Sequence, residues 1–251
     1  MPSNASNGKV TALVPVADLT RCSRWTSLAG NRSYNPSLLA KLKDAVMITV
    51  DAGSPGDHRI APLSAFKTFL NPKVIGTDMP VPIDTMPFEI TKSFSPQVLI
   101  SVFGLSELSL VDWIRYIASP ARLGTEAPLE SNMQLSAHFS ERVLNALARG
   151  WSTLSPSSQE VIATTLRSVS SIPTRAGQRK PAEAYFANVD LFEDLPIVAL
   201  PSGQVPKGAV EKVLEASGVK RHVDVRRVVS SWTLSDIRAA ANCVHASSWT
   251  R

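Results

Sequence analysis

The sequence is poor in cysteine, aromatic rings, charge and long apolar runs, and each shortage closes off a class of protein. Two cysteines occur in 251 residues, Cys22 and Cys243, at opposite ends. A disulfide framework needs a larger set at closer spacing, so the pair fits a reduced cytoplasmic or nuclear protein. No run of ~18 apolar residues occurs, so no membrane-spanning helix and no membrane partner are expected. The opening MPSNASNGKV lacks a basic stretch followed by a long apolar one, so it does not read as a secretory signal. Charged residues make up 19% and apolar residues 44%, a balance that lets the chain bury a core. The net charge of +5 permits nucleic acid or acidic partners without arguing for them, because true binders concentrate charge on one face.

Reactive motifs are also scarce. The four histidines, His58, His138, His222 and His245, show no HExxH, HxH or Cys/His spacing, so no metal site is expected. There is no GxxxxGK[ST] and no GxGxxG; the Asp51–Asp57 stretch has two glycines and no lysine, and reads as an ordinary turn. No cofactor follows from the sequence. No GxSxG elbow occurs, and neither cysteine carries the motif of an activated thiol. The acids Glu183, Asp190, Glu193 and Asp194 lie near Arg179 and Lys180. They read as ion pairs that fix an irregular loop, since a general acid–base pair also needs a cleft. No catalytic residue is named.

What the chain does contain is helix signals and proline. Residues 1–35 read as a disordered lead. Pro36 opens a helix with Leu38, Leu39, Leu42 and Ala45 at helical spacing, and Val46–Val50 reads as a strand. Five prolines between Asn71 and Pro96 predict an extended connector, with a domain boundary near residue 90. The chain then divides into a small α/β part over 36–90 and a helical module over 91–245. Four helices are expected next. They start at Ser95-Pro96, at Ser106 (stripe Leu110, Val111, Ile114, Ile117), at Asn132 (Leu135, Phe139, Val143, Leu144, Leu147, with Gly150 as stop) and at Ser155-Pro156 (Val161, Ile162, Leu166, Val169). Further helices are expected over Pro206–Ala216, Val223–Trp232 and Thr233–His245. Leu99 to Ile114 and Val213 to Val228 echo each other as helix, glycine, apolar residue, helix, which is either a duplication or a common local solution.

Ile172–Val198, IPTRAGQRKPAEAYFANVDLFEDLPIV, has neither helical nor strand period, yet it sets Pro173, Pro181 and Pro196 among Tyr185, Phe186 and Phe192. Ordering such a segment costs ~1–2 kcal/mol per residue, and buried aromatics are the usual compensation. Tyr185 and Phe192 are therefore expected inside, and Arg175–Lys180 outside. Two basic groups stand out: Arg175, Arg179 and Lys180, then Lys220, Arg221, Arg226 and Arg227. With three helices ahead of the first group, a winged-helix nucleic-acid binder is one reading. Solvated charges are the other, because the 157–170 helix has only Arg167 to read bases.

The same IPTRAGQRKPAEAYFANVDLFEDLPIV, followed by LEASGVKRHVDVRRVV and preceded by MPFEITKSFSPQVLISVFGLSELSLVDWIRYI, resembles a region of large fungal proteins related to sacsin. That region has no known function and follows an N-terminal GHKL-type ATPase domain. The resemblance covers roughly residues 80–230. It implies a non-catalytic part, since the ATP-binding Asn helix and glycine loop belong upstream. Asp51-Ala-Gly53 is only superficially similar to that loop. The expectation is a mainly α fold with a few short strands (α+β), with helix-turn-helix or winged-helix-like units joined by Pro-rich connectors. The expected role is a scaffold or interaction module, a fragment or shortened relative of an ATPase-containing protein, whose partner is another protein or the missing upstream domain. The alternative is the winged-helix nucleic-acid binder.

Overall fold

Serine and proline place most of the helix starts. The protein is seen in a computed structural model that describes residues 36–51, 58–124, 128–186 and 195–222. The described chain runs α1 (Pro36–Ala45), β1 (Met47–Asp51), β2 (His58–Pro62), β3 (Thr68–Phe69), β4 (Thr85–Met86), α2 (Phe88–Thr91), α3 (Pro96–Ser101), β5 (Ser106–Glu107), α4 (Leu110–Ile117), α5 (Pro120–Leu123), α6 (Ala137–Gly150), α7 (Pro156–Arg167), β6 (Ile172–Thr174), β7 (Gly177–Arg179) and α8 (Ala209–Ser217). The fold is mixed α and β, with its strands in small sheets. The expectations at 1–35, Gly53, Gly56, Asp190, Phe192, Glu193 and Asp194 lie outside the described residues. So do Cys22, Arg226, Arg227, Cys243, His245 and both helices after Val223.

Ser95, Ser109, Ser136 and Ser155 cap α3, α4, α6 and α7. Each hydroxyl accepts the backbone N–H three residues on, from Val98 (3.4 Å), Asp112 (3.1 Å), Phe139 (3.2 Å) and Ser158 (3.2 Å). That satisfies one orphan donor of each first turn. Two expected starts move. Ser106 and Glu107 form β5, paired in parallel with β3, so the helix begins only after the Ser109 cap. The expected helix at Asn132 begins at Ala137, because Ser136 rather than an earlier residue supplies the cap. Leu135 thereby leaves the stripe and stands exposed.

Burial gathers into two apolar clusters. The larger takes Trp113, Ile114 and Ile117 from α4, Phe139, Val143, Leu144 and Leu147 from α6, Ile162 and Leu166 from α7, and Val213 and Leu214 from α8. Trp113 is fully buried, and its Nε1–H donates to Pro80 O at 3.0 Å. Gly150 lets α6 pass α4 closely: a Cβ there would stand 2.4 Å from Leu110 Cδ1. The smaller cluster joins Ile48, Ala61, Phe66, Phe69, Met86, Ile90, Leu99, Phe103 and Leu105. The β1–β2 hairpin is antiparallel, and β3 lies between β4 and β5 in a parallel trio. Lys43 Nζ reaches across from α1 to Phe103 O at 2.6 Å.

The stretch from Asn71 to Pro96 is not a spacer. Its prolines do keep regular elements short, yet it buries Ile75 and Met79 in the larger cluster and Met86 and Ile90 in the smaller. The internal echo is visible as far as the described residues reach. Gly104 (φ 69°) and Gly218 (φ 102°) both adopt the left-handed conformation that ends a helix. Leu105 and Val219 then turn inward. A short extended piece comes next in each copy, β5 in the first and Lys220 bridged to Tyr185 in the second; the first copy then enters α4 with Val111 and Ile114, whereas Val225 and Val228 lie outside the described residues.

Candidate functional site

The segment after Thr174 has no sequence period because its partners are remote. β6 pairs antiparallel with β7, and Thr174 bridges Val198 on the other side. Ile197 in turn bridges Tyr185 in parallel, and Tyr185 bridges Lys220 in parallel. The backbone bonds that knit these pieces include Arg175 N to Ile197 O (3.0 Å), Val198 N to Tyr185 O (2.8 Å) and Phe186 N to Lys220 O (3.0 Å). Together they form one narrow ribbon whose inner side adds Ile172, Ala184, Phe186 and Val198 to the larger cluster. Tyr185 and Phe186 are buried, and Arg175, Arg179 and Lys180 are exposed.

The chain leaves this ribbon at Val198 and crosses to α8 through Pro201-Ser-Gly-Gln-Val-Pro-Lys-Gly208. Three features fix that crossing. Gly203 (φ 72°) and Gly208 (φ 63°) take backbone conformations that side chains disfavour, Pro206 is buried, and Glu141 on α6 holds the near end. The Glu141 carboxylate is itself buried; it accepts the Ser202 N–H at 3.0 Å and the Ser202 hydroxyl as well. Buried carboxylates are costly unless bonded, so this contact both satisfies Glu141 and locks the loop to α6.

Beside the locked loop lies a cavity of about 380 Å³, lined by Asn145, Leu200, Gln204, Val205, Pro206, Lys207 and Val210. Its volume falls in the range of small-ligand and side-chain pockets, ~300–1,000 Å³. Asn145 stands one turn beyond Glu141 on α6. Val205 is 58% exposed and, unlike the other large apolar side chains left outside, it lines this cavity. Sequence reasoning missed this site. The one signal it could have used was a lone valine between Gly203 and Pro206 in a turn-rich stretch.

The basic residues singled out from sequence fall into different settings. Arg175, Arg179 and Lys180 sit at the β6–β7 end of the ribbon. Lys220 and Arg221 sit at its opposite edge. There Lys220 Nζ lies 5.3 Å from the Tyr185 ring centre, and the Arg221 guanidinium 5.0 Å from that of Phe186. Arg221 is also engaged by carboxylates, bonding Glu211 at 2.8 Å and Glu215 at 3.2 Å. The hydrogen bonds it donates, to Glu215 first and then Glu211, hold its guanidinium above the ordinary range, and the bond from Arg221 holds Glu215 below. Arg167 behaves alike: it bonds Glu160 at 2.8 Å and the Ala216 carbonyl at 2.8 Å near the end of α8. Arg226 and Arg227 lie outside the described residues.

Among the described residues no group of three or more His, Cys, Asp or Glu could hold a metal ion. No described helix is long and apolar enough to cross a membrane. Residues 12–245 match a family model described as protein of unknown function (DUF3684). The chain belongs to this family. The DUF3684 match is wider than the resemblance seen from sequence at roughly 80–230, and it takes in the small α/β part. Its description names no activity. No curated protein and no solved structure matches the chain.

Proposed function

We propose that this DUF3684 chain is a non-catalytic interaction module whose docking site is the cavity between α6 and the 200–208 crossing. The observation that carries the reading is Val205, held 58% exposed at the mouth of a 380 Å³ cavity by a loop that Glu141 locks in place. Together with Leu200, Pro206 and Val210 in the lining, Val205 would give an inserted apolar group a water-excluding contact. The similarity to the region after a GHKL-type ATPase in sacsin-related proteins extends this proposal. The covering partner would then be a neighbouring part of a larger assembly. Transcript sequence reading upstream into an ATPase frame would support that extension, and its absence would remove it.

Site-directed photo-crosslinking in cells tests the core of the reading. Benzophenone is placed at Gln204, beside Val205, or at Ser157, exposed at the start of α7. The expected result is a discrete adduct from position 204, none from 157, and loss of the adduct with Val205→Asp. Equal labelling at both positions, unchanged by Val205→Asp, overturns it.

A second reading, the winged-helix-type nucleic-acid binder, is favoured by one observation. The β6–β7 hairpin follows α4, α6 and α7 and exposes Arg175, Arg179 and Lys180. Binding of generic duplex that collapses as salt rises, and that weakens in Arg179→Ala, would support it; salt-independent or undetectable binding would not.

A further inference from the structure

The cavity between α6 and the crossing has a mixed lining. Leu200, Val205, Pro206 and Val210 give it apolar surface, Asn145 and Gln204 give it carboxamides, and Lys207 gives it a cation. Its buried members, Leu200 and Pro206, are apolar, and its polar members are all exposed. Polarity therefore rises from the bottom of the cavity to its mouth. Size narrows the choice of occupant further. A cavity of ~150 Å³ is enough to hold benzene. This one, at about 380 Å³, is more than twice as large. An aliphatic side chain would leave much of that space to water, whereas indole, the largest side-chain ring, leaves least.

Resting on the docking-site reading, we infer that the occupant is a tryptophan side chain presented by a partner protein. Its ring packs on Leu200, Val205, Pro206 and Val210, and its N–H donates to a carboxamide oxygen of Asn145 or Gln204 at the wetter end. Lys207 supplies a cation for the ring face, the pairing that Lys220 makes with Tyr185 at 5.3 Å and Arg221 with Phe186 at 5.0 Å. A leucine would use the apolar residues and leave the carboxamides and Lys207 without a role. A free small ligand is usually buried over ~70–90% of its surface. Here four of the seven lining residues, Asn145, Gln204, Val205 and Lys207, are exposed. The occupant thus keeps one side outside, as a side chain carried on a partner's backbone does. Because Glu141 fixes Ser202, the wall at 204–206 stands before the occupant arrives, which spares an ordering cost.

The test uses the full chain and short uncharged peptides that differ only at one central residue: tryptophan, 1-methyltryptophan, leucine or serine. Binding is read from amide chemical shifts. The expected order of affinity is the order just given, with shifts centred on residues 200–210. Loss of the indole N–H should weaken binding about fivefold in the native chain, and not at all in the double variant Asn145→Ala/Gln204→Ala. Val205→Asp should weaken the tryptophan peptide by about tenfold or more. Val205 is mostly exposed, so unchanged circular dichroism of Val205→Asp serves as the folding control. Leucine bound as well as tryptophan would overturn the tryptophan assignment and leave the docking site standing. Free indole bound more tightly than the tryptophan peptide would assign the cavity to a small ligand and overturn the partner side chain. No peptide bound while the adduct from position 204 persists would overturn tryptophan alone; loss of both would overturn the docking site as well.

Discussion

The two apolar clusters solve the same problem with different materials. The smaller is almost wholly apolar, and its buried polar residues are Thr85 and Thr91. The larger encloses Asn132, Ser140, Glu141, Ser171, Thr174 and Ser217 among its helices. Several of these hold irregular chain in place. Asn132 Nδ2 donates to Leu123 O (3.1 Å) while its Oδ1 accepts from Gln134 N (2.9 Å). Ser140 Oγ accepts from Gln178 Nε2 of the ribbon at 2.8 Å, and Glu141 holds Ser202. Apolar burial stabilises without direction, whereas buried hydrogen bonds specify a geometry. The larger part therefore has its loops placed from within, and it is there that the cavity lies.

The largest effect should come from the apolar half of that comparison. Trp113→Ala removes a fully buried indole and should cost about 3–5 kcal/mol in denaturant unfolding, with Met86→Ala in the smaller cluster costing about 2–5 kcal/mol. Both clusters should respond in this way; a near-neutral Met86→Ala would mean the smaller one is loosely packed, and the contrast would change in kind. A lesser effect isolates the polar half. Glu141→Ala leaves the Ser202 N–H without its acceptor and should cost about 1–3 kcal/mol. Its amide chemical-shift changes should concentrate at residues 200–208. Changes spread evenly through α6 and α7 would mean that Glu141 supports the core rather than the loop.

The smallest effect concerns acid. Glu215 and Glu160 are held below their ordinary value of 4.5 by hydrogen bonds from Arg221 and Arg167. Groups lowered on folding add stability that is full above the ordinary value and lost as pH falls through the native values. Both carboxylates are exposed, so the contribution is slight. Arg221→Ala should lower the thermal midpoint a little at neutral pH and leave it unchanged in strong acid. A loss that persists in strong acid would assign Arg221's role to its stacking on Phe186.

Legibility in the sequence divides along the same line. Helices announced by a nearby Ser or Ser-Pro and an apolar stripe were readable, because cap and stripe are local. Ser155 with Ile162 and Leu166, and Ser95 with Leu99, are such cases. β5 was read as the start of a helix because two residues carry no period, and its partner β3 lies far back in the chain. Trp113 went unremarked within an otherwise correct stripe. The ribbon could be recognised as ordered from Tyr185 and Phe186, but its pairing could not, since each strand meets partners that no local pattern names. The cavity was invisible for a different reason. It is made by what the 200–208 loop leaves uncovered, and only the folded arrangement of α6 and α8 shows that.

The order of pieces in the ribbon has a consequence for a chain made from its N-terminus. Tyr185 sits between Ile197 and Lys220, so the last rung is supplied by residues synthesised well after the first. Until Lys220 has emerged from the ribosome, Phe186 lacks the carbonyl its N–H bonds in the finished protein, and α8, made just before it, is itself a late arrival on α6 and α7. The larger core is thus completed late in synthesis, and a nascent chain halted before that point would show its apolar interior to chaperones.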